Sequence, residues 1–115
     1  MCRVLIGTNH NLRDSRTVKQ DERYVVQDNT TLKNLVVSTT MLQRGCQTNG
    51  HSHKGQEEVY IFTRGHGTME IDDALFAVAE GDTILIEDGV FHKVYNNGTD
   101  LLKFTCIFDG KRHSN

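Results

Sequence analysis

Residues 45–65 read GCQTNGHSHKGQEEVYIFTRG, and within them His51 and His53 stand two apart. On an extended strand, side chains at i and i+2 leave the same face, so both imidazoles can reach one ion. Neutral imidazole is the commonest protein metal ligand near neutral pH. Glu58 follows five residues after His53 and heads the apolar run EVYIF, while His92 lies 34 residues further on in a second strand-like stretch. Three imidazoles and one carboxylate make a mixed nitrogen and oxygen donor set. That set suits one divalent transition metal (Mn, Fe, Ni, Co, Cu or Zn) and lacks the thiolates of a structural zinc site. Spacing alone does not separate such a site from an ordinary solvated strand, and Glu57 competes with Glu58. Parity allows only one of the two carboxylates to face inward.

Outward from this stretch the pattern is that of strands. Leu32 to Gln43, Glu57 to Thr63 and Leu101 to Phe108 are rich in Val, Thr, Ile and Phe, which fit a pleated surface. Thr68 to Ile71, Ala74 to Glu80, Thr83 to Glu87 and Val90 to Asn96 add shorter runs. Between them lie Gly65-His66-Gly67, Asp72-Asp73, Gly81-Asp82, Gly89 and the cluster Asn96 to Asp100, all turn signals. Short strands at roughly 8–12-residue spacing indicate an all-β barrel or sandwich. No segment after residue 30 carries a helical stripe. In the first 30 residues Val4–Ile6 and Tyr24–Val26 read as strands, and the polar stretch Asn9 to Glu22 reads as a loop.

Composition sets the outer limits. The chain has 115 residues, the size of one domain. Thirteen Lys+Arg against 15 Asp+Glu leave a net charge of −2, which argues against a nucleic-acid partner. The longest apolar run, Ala74–Ala79, is six residues, far short of the ~20 of a membrane-spanning helix. Cys2, Cys46 and Cys106 are odd in number and form no CxxC, so free thiols are expected. The N-terminal MCRVLIGTNHN holds too short an apolar stretch for a signal peptide, which reads as a cytoplasmic location. Proline is absent, although ten glycines and six histidines punctuate the chain.

The quoted stretch resembles the first motif of the cupin superfamily, G(X)5HXH(X)3,4E(X)6G. Gly45, His51, His53, Glu58 and Gly65 occupy its positions; using Glu57 instead would put Arg64 where the last glycine belongs. The second motif, G(X)5PXG(X)2H(X)3N, is matched by Gly81, Gly89, His92 and Asn96, with Glu87 in place of the proline. The resemblance implies a double-stranded β-helix, or jelly roll, with its barrel core over about 32–108. Residues 1–31 would add edge strands or a loop able to form a dimer, and 109–115 a polar tail. It also implies a divalent metal held by His51, His53, Glu58 and His92. The missing proline should loosen the turn before Gly89 without moving His92.

The remaining candidates each have an ordinary reading. Tyr60 and Phe62 share strand parity with Glu58 and should face the interior. Both are expected core residues, and both are candidates to line a substrate site, with the Tyr60 hydroxyl bonding a substrate oxygen. Gln43, Arg44 and Lys103 are candidates for the barrel mouth, and Arg44, Lys54 and Lys103 for phosphate recognition. Val94 should be lining, His66 a turn residue, and His10, His113 and the Lys111-Arg112 tail solvated. Cys46 has no neighbouring base and is not expected to act as a nucleophile.

Cupins host many chemistries, so the fold leaves function open. The leading expectation is a sugar or sugar-phosphate isomerase or epimerase acting on a small polar metabolite. The metal would act as a Lewis acid toward adjacent oxygens, with Glu58 and Tyr60 as catalytic candidates. One alternative is a non-haem iron dioxygenase, which would consume O₂. The other is a module that binds a metal or small ligand without turnover.

Overall fold

The computed structural model describes residues 15–110. Nine strands follow one another: β1 (Arg16–Gln20), β2 (Tyr24–Asn29), β3 (Leu35–Leu42), β4 (Glu58–Arg64), β5 (His66–Ile71), β6 (Ala74–Ala79), β7 (Thr83–Ile86), β8 (His92–Tyr95) and β9 (Leu102–Asp109). They form an antiparallel six-stranded sheet, β1-β2-β3-β9-β4-β7, and a three-stranded sheet, β6-β5-β8. This is the all-β architecture expected from the strand and turn pattern, arranged as the jelly roll that the cupin resemblance implies.

Period-2 alternation explains the central strands. In β3, Val36, Ser38, Thr40 and Leu42 are buried, and in β9 so are Leu102, Phe104, Cys106 and Phe108. Cross-strand pairing lines these residues into rows on the inner face. One row runs Val36, Phe108, Glu58, Ile86 and the next Ser38, Cys106, Tyr60. A third runs Val26, Thr40, Phe104, Phe62. Phe62, Phe104, Leu42, Met69 and Leu102 are fully buried, each worth about 1.5–3 kcal/mol in transfer from water. Gly65 turns β4 into β5 at φ +83°, and a Cβ there would strike the Leu101 carbonyl, so only glycine fits.

Several boundaries differ from expectation. Arg16–Gln20, expected within a loop, is a strand. It is held by backbone pairing to β2 and is mostly exposed, so it carries no apolar alternation to read. Together β1 and β2 extend the sheet ahead of residue 32, and Tyr24 and Val26 enter the core. β3 begins at Leu35 rather than Leu32, because the chain bends at 32–34 and Asn34 O accepts from Gly110 N at 2.7 Å. His66 already pairs with Ala79 as the first residue of β5, so only Gly65 is the turn. Asp72-Asp73 forms the expected tight turn, with Asp72 at φ +51°, a conformation that Asp tolerates. Val4–Ile6, Cys2, His10, His113 and Lys111-Arg112 lie outside the described residues. Cys46 and Cys106 are free thiols. Among the described residues no helix is long and apolar enough to cross a membrane.

Candidate metal centre

The chain from Gly45 to His51 runs antiparallel beside β8 and its C-terminal end. Gly45 N donates to Asn96 O (2.8 Å), Asn96 N to Cys46 O (2.8 Å) and Thr48 N to Val94 O (3.0 Å). The run ends in a reciprocal pair: His51 N to His92 O at 3.1 Å and His92 N to His51 O at 3.0 Å. This pairing sets the two histidines opposite each other, with ring centroids 4.5 Å apart. Gly50 permits it, because a Cβ there would run into the ring of Phe91. Asn96 anchors the far end, donating from Nδ2 to Leu42 O and to Asp100 O, both at 2.9 Å.

Glu58 arrives from the first position of β4. One ligand atom each from His51, Glu58 and His92 lie within 4.8 Å of one another, and His92 is buried. His53 stands at the margin of this triad, its ring 4.5 Å from that of His51 and 6.3 Å from that of His92. The implied four-ligand set is thus present as a tight group of three with His53 beside it.

Hydrogen bonds fix which nitrogens face the centre. His92 Nδ1 lies 2.9 Å from Val90 O, and His51 Nδ1 lies 3.2 Å from Asn49 O. A carbonyl only accepts, so each Nδ1 carries the proton and each neutral ring is left with a lone pair on Nε2. His92 Nε2 faces Glu58 Oε1 at 3.0 Å. Both atoms are buried, and although they are this close, neither has a hydrogen bond in acceptable alignment. Leaving buried acceptors unsatisfied costs about 1–3 kcal/mol each. A cation placed between them removes that cost, and the nitrogen and oxygen donors match a divalent transition metal. Burial first, then the nearby His92 and His53 rings, lower the pKa of His51 from 6.5 to about 4. Its imidazole is therefore neutral, with the lone pair available, at physiological pH.

The turn that lacks the motif proline is secured by other means. Val90 N donates to Glu87 O at 3.1 Å, with Gly89 at φ +77°. Two bonds tie this turn to the histidine loop: Gly89 N to His53 O at 3.1 Å and Gly55 N to Asp88 Oδ1 at 2.6 Å.

Beside the triad opens a cavity of about 200 Å³. His51, His53, Glu58 and Tyr60 line it. Tyr60 is buried, stacks on Phe104 at 5.4 Å and meets His92 edge-on at 5.5 Å. Phe62 faces inward as its parity requires, but it is 1% exposed and off the cavity wall. It packs against Phe104 of its own row as a core residue. Gln43 is exposed in the turn after β3 and does not line the cavity; neither do Arg44, Lys54 or Lys103. Val94 is buried, and His66 is exposed on the second sheet.

The structure adds wall residues that sequence reasoning passed over: Ser38, Thr40, Gln56 and Lys19. Ser38 and Thr40 carry a legible signal, being small hydroxyls in phase with Val36 and Leu42. Gln56 and Lys19 carry none.

A family model described as "Cupin domain" matches residues 38–108. The uncharacterized protein MJ1618 of Methanocaldococcus jannaschii is 40% identical over 62 residues, which are 54% of this chain and 50% of that protein. The chain therefore spans about half the length of that curated relative. Among solved structures, TT1209 from Thermus thermophilus superposes with a TM-score of 0.77 at 16% identity, over 93% of this chain and all of the other. KdgF from Halomonas sp. superposes with a TM-score of 0.73 at 16% identity, covering 90% and 93% of the two chains.

Proposed function

We propose that this chain, which belongs to the cupin domain family, is a metal-dependent enzyme that isomerises a small polar metabolite of the sugar or sugar-acid class. The observation that carries the reading is the buried, unsatisfied pair Glu58 Oε1 and His92 Nε2, with His51 completing a donor triad beside a cavity. His51, Glu58 and His92 would hold the ion, with His53 as the fourth ligand. A divalent ion bound there supplies Lewis-acid polarisation of a hydroxyl and a carbonyl oxygen on neighbouring carbons.

The chain's own residues account for the rest. Glu58 is the one carboxylate among the described residues of the cavity wall. It takes a proton from the carbon bearing the hydroxyl and returns it to the neighbouring carbonyl carbon, while the hydroxyl proton passes to the former carbonyl oxygen, so atoms balance with no co-reactant. The Tyr60 hydroxyl orients a substrate oxygen. Ser38 and Thr40 offer further hydroxyls across the wall, and the aromatic floor of Tyr60 and Phe104 excludes water. Arg44, Lys54 and Lys103, the cations expected to recognise a phosphate, do not line the wall.

The test is a screen of sugars and sugar acids in D₂O, read by NMR. The expected result is deuterium entering the carbon beside the carbonyl, without O₂ uptake. Stoichiometric O₂ consumption would replace this reading with a dioxygenase. Ligand binding with neither exchange nor O₂ uptake would reduce it to a binding module. The reading includes a homodimer. The side of β1 away from β2 has no strand partner among the described residues, and Val18, Leu32 and Leu35 are exposed.

A further inference from the structure

The register of β1 contains one irregularity, and it falls beside the cavity. Arg16 pairs with Asp28 and Thr17 with Gln27, but Lys19 pairs with Val26, leaving Val18 as an extra residue in a β-bulge. A bulge of this kind shifts the facing of everything beyond it by one position. Without it, Val18 would stand opposite Val26 on the inner face and Lys19 would point outward. With it, Val18 is turned out, 44% exposed, and Lys19 joins the inner row of Val26, Thr40 and Phe104. Both Lys19 and Val26 line the cavity that holds His51 and Glu58. An apolar residue at the surface and a lysine on the inner side is the reverse of what burial alone favours.

The charge around the cavity gives this exchange a purpose. Among the described wall residues Lys19 is the one permanent cation and Glu58 the one carboxylate. A divalent ion at the triad outweighs Glu58, so with Lys19 the wall carries a net positive charge. An anionic ligand is matched in charge to such a wall.

We propose that Lys19 is a specificity-determining residue, placed in the cavity by the Val18 bulge, and that the natural ligand is a small carboxylate whose acid group pairs with the Lys19 ammonium. This rests on the cavity being the ligand site proposed above, and it narrows the substrate class to hydroxy or keto acids. The oxygens that react face the histidine–glutamate triad, and the carboxylate lies toward β1.

Calorimetric titration of the full chain, metal-reconstituted and chelator-treated, tests this with two matched pairs: D-glucuronate against D-glucose, and glycerate against glycerol. Metal content is measured on the same samples. For wild type, the acid of at least one pair should bind about tenfold or more tightly than its neutral partner, the scale of one hydrogen bond to a charged group. Lys19→Met should bring that ratio close to one at unchanged metal content and melting midpoint, and Lys19→Arg should restore most of it. A preference that survives Lys19→Met, or wild type that prefers neither acid, overturns the assignment. Metal-reconstituted samples that take up no metal yet keep a Lys19-dependent preference would overturn the metal-enzyme reading and leave the Lys19 assignment standing.

Discussion

Glu58 Oε1 and His92 Nε2 stand 3.0 Å apart in a site shielded from water, and neither has a hydrogen-bond partner. A cation between them would satisfy both. His92→Ala and Glu58→Gln should therefore each abolish metal retention, whereas His66→Ala, on an exposed residue of the second sheet, should leave it intact; elemental analysis of the three variants reads this. Tyr60→Phe removes a hydroxyl from the cavity wall and should lower turnover while sparing metal content. His51 adds a pH signature. Its folded pKa, about 4, is depressed below the unfolded 6.5, so the unfolded chain binds more protons between these values. Stability is then full above about 6.5 and falls as pH drops toward 4. Melting midpoints of chelator-treated protein should fall across this window, and His51→Gln should flatten the slope. The donor types were legible because HxH, Glu58 and His92 keep a fixed spacing. The wider stance of His53 was not, because a loop and not a strand carries it.

At the scale of elements, the site depends on two pairings that hold loops to strands: the run 45–51 against β8, and the turn at 87–90 against the histidine loop. Asp88→Ala removes the 2.6 Å bond to Gly55 N. It should cost about 1 kcal/mol, read by chemical denaturation, and weaken metal affinity with every ligand present. Gly50→Ala should do more damage, because the new methyl displaces Phe91 beside the His51–His92 bridge. Central strands were legible for a physical reason: β3, β4 and β9 bury one face, so their sequences alternate. β1 was not, since it is mostly exposed and its bulge at Val18 breaks what parity exists. The same bulge hid Lys19. Phe62 shows the complementary limit: parity correctly turned it inward, but only packing distinguishes the cavity wall from the core behind it.

For the whole molecule, ligation by Glu58, His92 and His51 would join β4, β8 and the 45–51 run, so a bound ion would link both sheets. A ligand present at a hundredfold excess over its Kd stabilises a fold by about 2.7 kcal/mol. Chelation should accordingly lower the melting midpoint by about 10 °C or more for a chain of this size. If two copies pair through β1, sedimentation at micromolar concentration should give twice the chain mass; a monomer at every concentration would exclude the dimer. The most direct test of the metal centre is the metal content of wild-type protein, purified without chelators and again after reconstitution and desalting. The expected result is about one divalent transition-metal ion per chain. No bound metal in either preparation would contradict it.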